Sequence, residues 1–378
     1  MTKISIEEDL LNRLLAKCSA EIERHAGSAD SANITFEKNR CVKTLFPKSS
    51  CTQCVQVCRE QALSIKDQTI SIENSECSAC GACIRACPTE TFSYGRFPLF
   101  GVLAALKNRL HSASASSALA FTCPKAQSRK NGVPVGCFNG VNPALILLSH
   151  LLFNTKIELH SSDCERCPSH NGGCPTQALA DDCETLCAKL GVQFRPVCAE
   201  ENDGDKISLG RRRIFSRLSD RLHGISEITS LSGGAPKTDK VFTMPKREML
   251  IAAIELLKAR RPGFEISEKI FPLPGVISGK CSGCNICTLL CPTGCLSDKT
   301  ENGRFKLTAD PMRCTNCRRC IEACPTQAMV MRGIPGTQAV ISDSVRIVLT
   351  EISAQKDEEE QSAEARMKEI FDVPIYRS

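Results

Sequence analysis

Four short apolar runs and two longer periodic ones organise the middle of this chain. ALAFTC, VPVGC, TKIELH and VQFRPVC have strand length and strand-forming residues. NPALILLSHLLF and TQALADDCETLCAKLG have the length and end signals of helices, with Gly191 placed to stop the second. The order strand, strand, helix, strand, helix, strand predicts a small α/β domain with a mainly parallel sheet over residues 101–200. The link from Cys123 to Val133 is short for a right-handed crossover and leaves room for one antiparallel pair.

Outside this region, ALSIKDQTISIE and CLSDKTENGRFKLT read as hairpins, the second turning at Asn302-Gly303, and NITFEKNR reads as a strand. PKREMLIAAIELLKARR is a proline-led helix expected to pack on the second hairpin's domain. Residues 1–35 are expected to form an N-terminal helix, and RRRIFSRLSDRL a basic amphipathic one inside a linker-and-helix stretch over 201–270. KDEEEQSAEARMKEIF reads as a charged helix or disordered arm in a tail over 336–378.

Composition changes this picture through one residue type. Of 378 residues, 26 are cysteine, against two tyrosines and no tryptophan, which means a disulfide scaffold or a set of metal sites. The first residues include early acids and lack the basic-then-apolar order of an export signal. The longest apolar runs fall short of the about 20 residues that span a bilayer. The expectation is a cytoplasmic protein without a transmembrane segment, where cysteines serve as metal ligands. A formal charge of +6 and the RRRIF stretch raise nucleic acid as a partner. That sum omits the negative charge that metal-bound thiolates carry, so nucleic acid is not expected.

The cysteine spacing decides the metal. CSACGACIRACP from Cys77, CSGCNICTLLCP from Cys281 and CTNCRRCIEACP from Cys314 are each C-x2-C-x2-C-x3-C-P. Three close thiolates wrap three corners of a cubane, and the fourth, at a proline-led helix start, points to a second cluster. Zinc would ask for paired C-x2-C motifs and has no use for the third cysteine or the proline.

Residues 271–335 resemble a bacterial-type ferredoxin domain with two [4Fe-4S] clusters. Because such domains exchange fourth ligands, the resemblance implies one cluster on Cys281, Cys284, Cys287 and Cys324 and another on Cys314, Cys317, Cys320 and Cys291. Residues 36–100 resemble a second copy whose first interval, Cys41 to Cys51, holds nine residues instead of two, and in which Arg59 replaces the proline. This copy implies clusters on Cys41, Cys51, Cys54 and Cys87 and on Cys58, Cys77, Cys80 and Cys83, with Cys41 as a buried small hydrophobe the alternative. Together the fold expected is α+β multidomain, two ferredoxin-like domains flanking the α/β domain.

In the middle, CERCPSHNGGCP has His170 where a third cysteine would stand. Cys123, Cys137, Cys164, Cys167 and Cys198 fall at or after predicted strand ends, where open parallel sheets bind ligands. This layout is similar to the delta subunit family of methyl-viologen-reducing hydrogenases, which implies a [2Fe-2S] cluster. A fifth metal site is expected on Cys123, Cys137, Cys164 and Cys167, with Cys174 as substitute; iron-sulfur, zinc and free thiols stay open, and His170 is read as a loop residue. Cys183 and Cys187 read as small buried hydrophobes, Cys18 is assigned no role, and Cys295 reads as a shield for a cluster or as inert.

No GxGxxG follows a strand and no GxxxxGK[ST] occurs, so neither a Rossmann-type nor a P-loop nucleotide site is supported. The expected function is relay of single electrons through four [4Fe-4S] clusters as a non-catalytic subunit or partner of a dehydrogenase, hydrogenase or reductase. A reductase with a substrate or disulfide site in the middle domain is the alternative, and a zinc-binding regulator a lesser one.

Overall fold

The computed structural model describes residues 5–26, 34–94, 99–111, 118–126, 132–167, 173–200, 244–264, 270–333 and 346–353. Helix α1 (Ile6–Ala26) carries Glu7, Glu8 and Asp9 in its first turn, where the helix dipole favours them. It buries Leu10, Leu11, Leu14 and Cys18, one stripe at helical spacing.

The N-terminal cysteine-rich unit contains β1 (Ile34–Phe36), α2 (Val42–Leu45), α3 (Gln53–Gln56), β2 (Leu63–Lys66), β3 (Thr69–Ile72), α4 (Ala82–Ala86) and β4 (Phe92–Tyr94). β1 pairs antiparallel with β4, and β2 with β3 in the predicted hairpin. Ile34, Leu63, Ile70, Ile84 and Phe92 share a small core with Cys41, Cys54 and Cys83. α5 (Leu99–His111) leads away and was not read from the sequence, although Leu99, Leu103, Leu106 and Leu110 mark its buried face.

The middle domain is a parallel sheet of four strands, β5 (Ala118–Thr122), β6 (Val133–Pro134), β7 (Lys156–Ser161) and β8 (Val197–Glu200), in the order β6-β5-β7-β8. All three pairings are parallel, so the antiparallel pair left open by the short Cys123–Val133 link is absent among the described strands. β6 meets β5 only through Phe121↔Val133 and Thr122↔Pro134, and as an edge strand it tolerates a proline that cannot donate to a ladder. Between the strands run α6 (Pro143–Phe153) and α7 (Pro175–Lys189). The Asn142 side chain caps α6 by accepting from the Ala144 N–H at 2.8 Å, and Asn154 ends it in the left-handed region at φ 46°. α6 is apolar almost all round because it is interior, packing on α7 and on α8 (Pro245–Arg260). Gly191, at φ 60°, follows α7 as expected.

α8 extends an expectation. Its most extensive contacts are with α6 and α1, and it also meets the C-terminal unit at the turn Pro311–Arg313 and through Arg247 over Phe271. The C-terminal unit comprises β9 (Pro272–Val276), α9 (Ile286–Leu289), β10 (Leu296–Glu301), β11 (Arg304–Ala309), α10 (Arg319–Glu322), β12 (Met329–Gly333) and β13 (Ile347–Ser353). β9/β12 and β10/β11 repeat the two antiparallel pairs of the N-terminal unit. Asn302 and Gly303, at φ 51° and 71°, make the turn the hairpin needs. β13 adds a third strand on β11, so the expected tail over 336–378 includes a strand of this sheet. The alternation in VRIVLTEIS carried that signal: Ile347, Leu349 and Ile352 pack on the core. The basic helix expected at 211–222, the arm after residue 353 and His170 lie outside the described residues.

Candidate metal centres

Each cysteine loop turns because a few residues accept left-handed backbone. Ala79 and Gly81, Gly283 and Asn285, and Asn316 and Arg318 all have positive φ, at matching places in the three regular loops. The turns gather thiols that are distant in sequence. Cys41, Cys51, Cys54 and Cys87 line one cavity, and Cys58, Cys77, Cys80 and Cys83 another. In the C-terminal unit Cys291, Cys314, Cys317 and Cys320 line a third. Cys281, Cys284, Cys287 and Cys324 lie close enough for their charges to act on one another. These are the four sets expected from the resemblance, Cys41 and the exchanged fourth cysteines included.

A small device recurs at the cysteine before each Cys-Pro-Thr turn. The Thr293 hydroxyl lies 3.6 Å from the Cys291 sulfur and Thr326 3.6 Å from Cys324. At Cys87 it is Thr91, at 3.1 Å, and the Thr91 N–H also donates at 3.4 Å. The Ala328 N–H donates to Cys324 at 3.2 Å. Such donors favour the thiolate. Cys295, buried against Cys291 and Cys314, shares hydrogen bonds with both sulfurs: it stays a thiol, and Cys291 and Cys314 are held below the ordinary thiol range. It therefore belongs to this centre's surroundings, as the shielding reading had it.

Elsewhere burial, then repulsion by neighbouring sulfurs, pushes the thiols up: Cys54 and Cys317 to about 12, and Cys51, Cys80, Cys83, Cys281, Cys287 and Cys320 in the same direction. A positively charged core is what such a donor set lacks; it would hold the thiolates ionised. Two buried polar atoms at the loops support the fit. Arg319 Nε and Thr315 Oγ1 border the Cys291 cavity and have no hydrogen-bond partner among the described residues. Leaving such a group unsatisfied costs about 1–3 kcal/mol, which an acceptor sulfur in the cavity would offset.

The raised thiols also give a pH dependence for the metal-free chain. Because the folded state holds these protons above the ordinary value of 9.0, the unfolded state ionises first as pH rises. The contribution of these raised thiols is full below about pH 9 and falls between about 9 and 12. Thermal melts of chelator-stripped protein across that window are expected to show a falling midpoint, and a flat profile would contradict the crowding of thiols.

Two seams join the units. The nine residues between Cys41 and Cys51 fold outward as α2 and a following turn that dock on the C-terminal unit. There Phe46 is buried with Ile286, Leu290 and Ala323. Glu322 accepts from the Ser49 hydroxyl at 2.7 Å and the Ser50 N–H at 3.3 Å, and Arg319 donates to the Leu45 carbonyl at 3.0 Å. The first turn of α8 ties the same two units: Lys246 Nζ donates to the Ile84 and Cys87 carbonyls, and Arg247 to the Cys314 carbonyl at 2.6 Å. Nothing in the spacing announces Phe46, Arg319, Lys246 or Arg247 as interface residues; each looks like ordinary loop or helix sequence.

The second seam meets the middle domain at Tyr94. Its hydroxyl donates to the Cys137 carbonyl at 2.8 Å and reaches the Cys80 carbonyl at 3.3 Å. Gly81, Gly136 and Gly140 form the cradle, and a Cβ on any of them would overlap the ring. Gly136→Ala is expected to cost about 1–3 kcal/mol by overpacking, read as a lower melting midpoint; an unchanged midpoint would mean that the ring has room to move. Arg85 of α4 pairs with Asp182 of α7 beside it.

Among the middle-domain cysteines, Cys137 lies within electrostatic reach of Cys80, Cys123 and Cys167, and burial pushes it to about 12. Cys164 is hydrogen-bonded to Cys174 and stands 3.9 Å from Thr176, with its pKa pushed up to about 11, first by burial. The expected five thus divide into a group of three and a pair. Cys198 sits inside β8 opposite Leu159, not at the strand's end, with its thiol toward the Thr176 carbonyl, 3.7 Å away. Cys183 and Cys187 are fully buried core residues.

Residues 49–91 and 280–328 match the family model of the 4Fe-4S dicluster domain. Both units are ferredoxin-like. The second match spans all eight C-terminal cysteines of the two sets, and the first begins after Cys41. No curated protein and no solved structure matches the chain. Among the described residues, no helix is long and apolar enough to cross a membrane.

Proposed function

We propose that the chain relays single electrons through four [4Fe-4S] clusters held in its two ferredoxin-like domains. The observation that carries this reading is the convergence of sixteen cysteines into four sets of four, each completed by a residue from a separate segment. The ligands are Cys281, Cys284, Cys287 and Cys324; Cys291, Cys314, Cys317 and Cys320; Cys41, Cys51, Cys54 and Cys87; and Cys58, Cys77, Cys80 and Cys83. Bound clusters supply one-electron redox chemistry. The protein fixes their order and the hydrogen bonds to their sulfurs, which tune potential.

The sets form a line. Cys287 lies within electrostatic reach of Cys320, Arg319 spans Cys317, Cys291 and Cys41, Cys54 reaches Cys83, and Cys80 reaches Cys137. Electrons would run along it between the outer C-terminal centre and the middle domain, where Cys123, Cys137, Cys164 and Cys167, with Cys174 as substitute, would hold any fifth metal site. The natural partners are redox subunits of a dehydrogenase, hydrogenase or reductase. Anaerobic dithionite titration tests the reading: uptake of about four electrons per chain, with cluster EPR signals growing as visible absorbance bleaches, is expected. Zinc in the loops and no electron uptake would overturn it.

The Cys164–Cys174 contact favours a second reading, in which two electrons from the clusters and two protons reduce a disulfide substrate at this pair. Turnover by the isolated chain with a reduced dye, abolished by Cys174→Ser, is its signature; no turnover would remove it.

A further inference from the structure

The two domains meet at their inner centres, and the seam between those centres is cationic. Arg319 follows Arg318 in the turn between Cys317 and Cys320, and it is only 6% exposed. One Nη donates across the seam to the Leu45 carbonyl at 3.0 Å, which aims the guanidinium at the N-terminal domain's first cysteines. Its Nε–H, also buried, finds no acceptor among the described residues and borders the cavity lined by Cys291, Cys314, Cys317 and Cys320. From the other side Arg247 reaches the Cys314 carbonyl and lies over the Phe271 ring at 5.0 Å, while Lys246 holds the Cys87 carbonyl.

The acids at this seam are Glu37, 3.6 Å from Arg40; Glu90, accepting from the Lys246 N–H; Glu248, which acts on Arg247; and Glu322, which accepts from Ser49 and Ser50 and acts on Cys51. At the outer C-terminal centre the charged side chain acting on Cys287 is Asp298. Adding an electron makes a cluster more negative, so a buried cation favours the reduced form and a nearby carboxylate disfavours it.

We propose that Arg319 is the shared counterion of the two inner centres, donating its Nε–H to a sulfur of the Cys291 centre and raising both inner potentials above that of the outer C-terminal centre. Electrons entering from the outer C-terminal centre would then rest at the seam. The idea depends on the cluster assignment above but not on the identity of any partner.

The test is EPR-monitored potentiometric titration of anaerobically purified protein, with iron and sulfide counted on each sample. Wild type is expected to reduce in separate waves, the inner pair first. In Arg319→Gln the reduced-to-oxidised ratio of the inner centres at fixed ambient potential should fall about tenfold, a shift of 59 mV for a one-electron couple, with the outer C-terminal centre unmoved. Arg319→Lys, which keeps the charge, should recover most of that ratio. Where Arg319→Gln loses iron, Arg247→Gln reads the Cys291 centre from the opposite side and should shift it in the same direction. A single wave for all clusters in wild type, or equal shifts of inner and outer centres in the variants, would overturn the proposal while leaving the clusters established. Absence of iron from wild type would instead remove the cluster assignment itself.

Discussion

Cys41→Ala is expected to remove one cluster of four, lowering iron from about 16 to about 12 per chain. Cys41 is 8% exposed and shares its cavity with only three other cysteines, Cys51, Cys54 and Cys87. The loss falls on an inner position of the line, so its consequence exceeds one cluster: the C-terminal pair and the Cys58 centre would stay loaded but no longer exchange electrons rapidly. Metal analysis with freeze-quenched EPR after mixing with a reductant separates these effects. Iron holding near 16 would show that Cys41 is a buried hydrophobe and that another ligand completes the site.

Phe46→Ala is expected to loosen the seam between the two domains while leaving iron content unchanged. A buried phenylalanine truncated to alanine costs about 3–5 kcal/mol. Phe46 is the N-terminal domain's hydrophobic contribution to the small cluster with Ile286, Leu290 and Ala323. With that plug gone, Glu322 and Arg319 would hold the loop only through polar contacts shared with water. Hydrogen exchange over residues 42–50 should accelerate, and spin coupling between the inner centres should weaken. Unchanged exchange and coupling would mean that the first turn of α8, through Lys246 and Arg247, suffices to fix the domains.

How much of this was legible in the sequence follows from the range of each signal. The cysteine loops are local: their spacing, glycines and prolines encode the turns, so fifteen of the sixteen proposed cluster ligands could be read from short motifs and the repeat of one domain in the other. Cys41 required the further idea of an insertion. What the inserted residues do was hidden, because docking of Phe46 depends on a partner surface more than two hundred positions away in the chain. Tyr94 was equally silent, since a cradle of Gly81, Gly136 and Gly140 exists only once two domains meet. The parallel sheet was read from periodicity, yet the short link before Val133 suggested an antiparallel pair that a two-residue edge strand avoids. The contacts of α8 with α6 and α1 were not read because its apolar face names no partner, and β13 was missed because its pairing with β11 is non-local.

The most direct test of the central claim is the content of iron, acid-labile sulfide and zinc in protein purified without oxygen. The account predicts about 16 iron and 16 sulfide per chain for four cubanes, or about 18 to 20 iron if the middle-domain cysteines hold a further cluster, with zinc well below the amount needed to fill the ferredoxin-like loops. Zinc at several atoms per chain with little iron would contradict it.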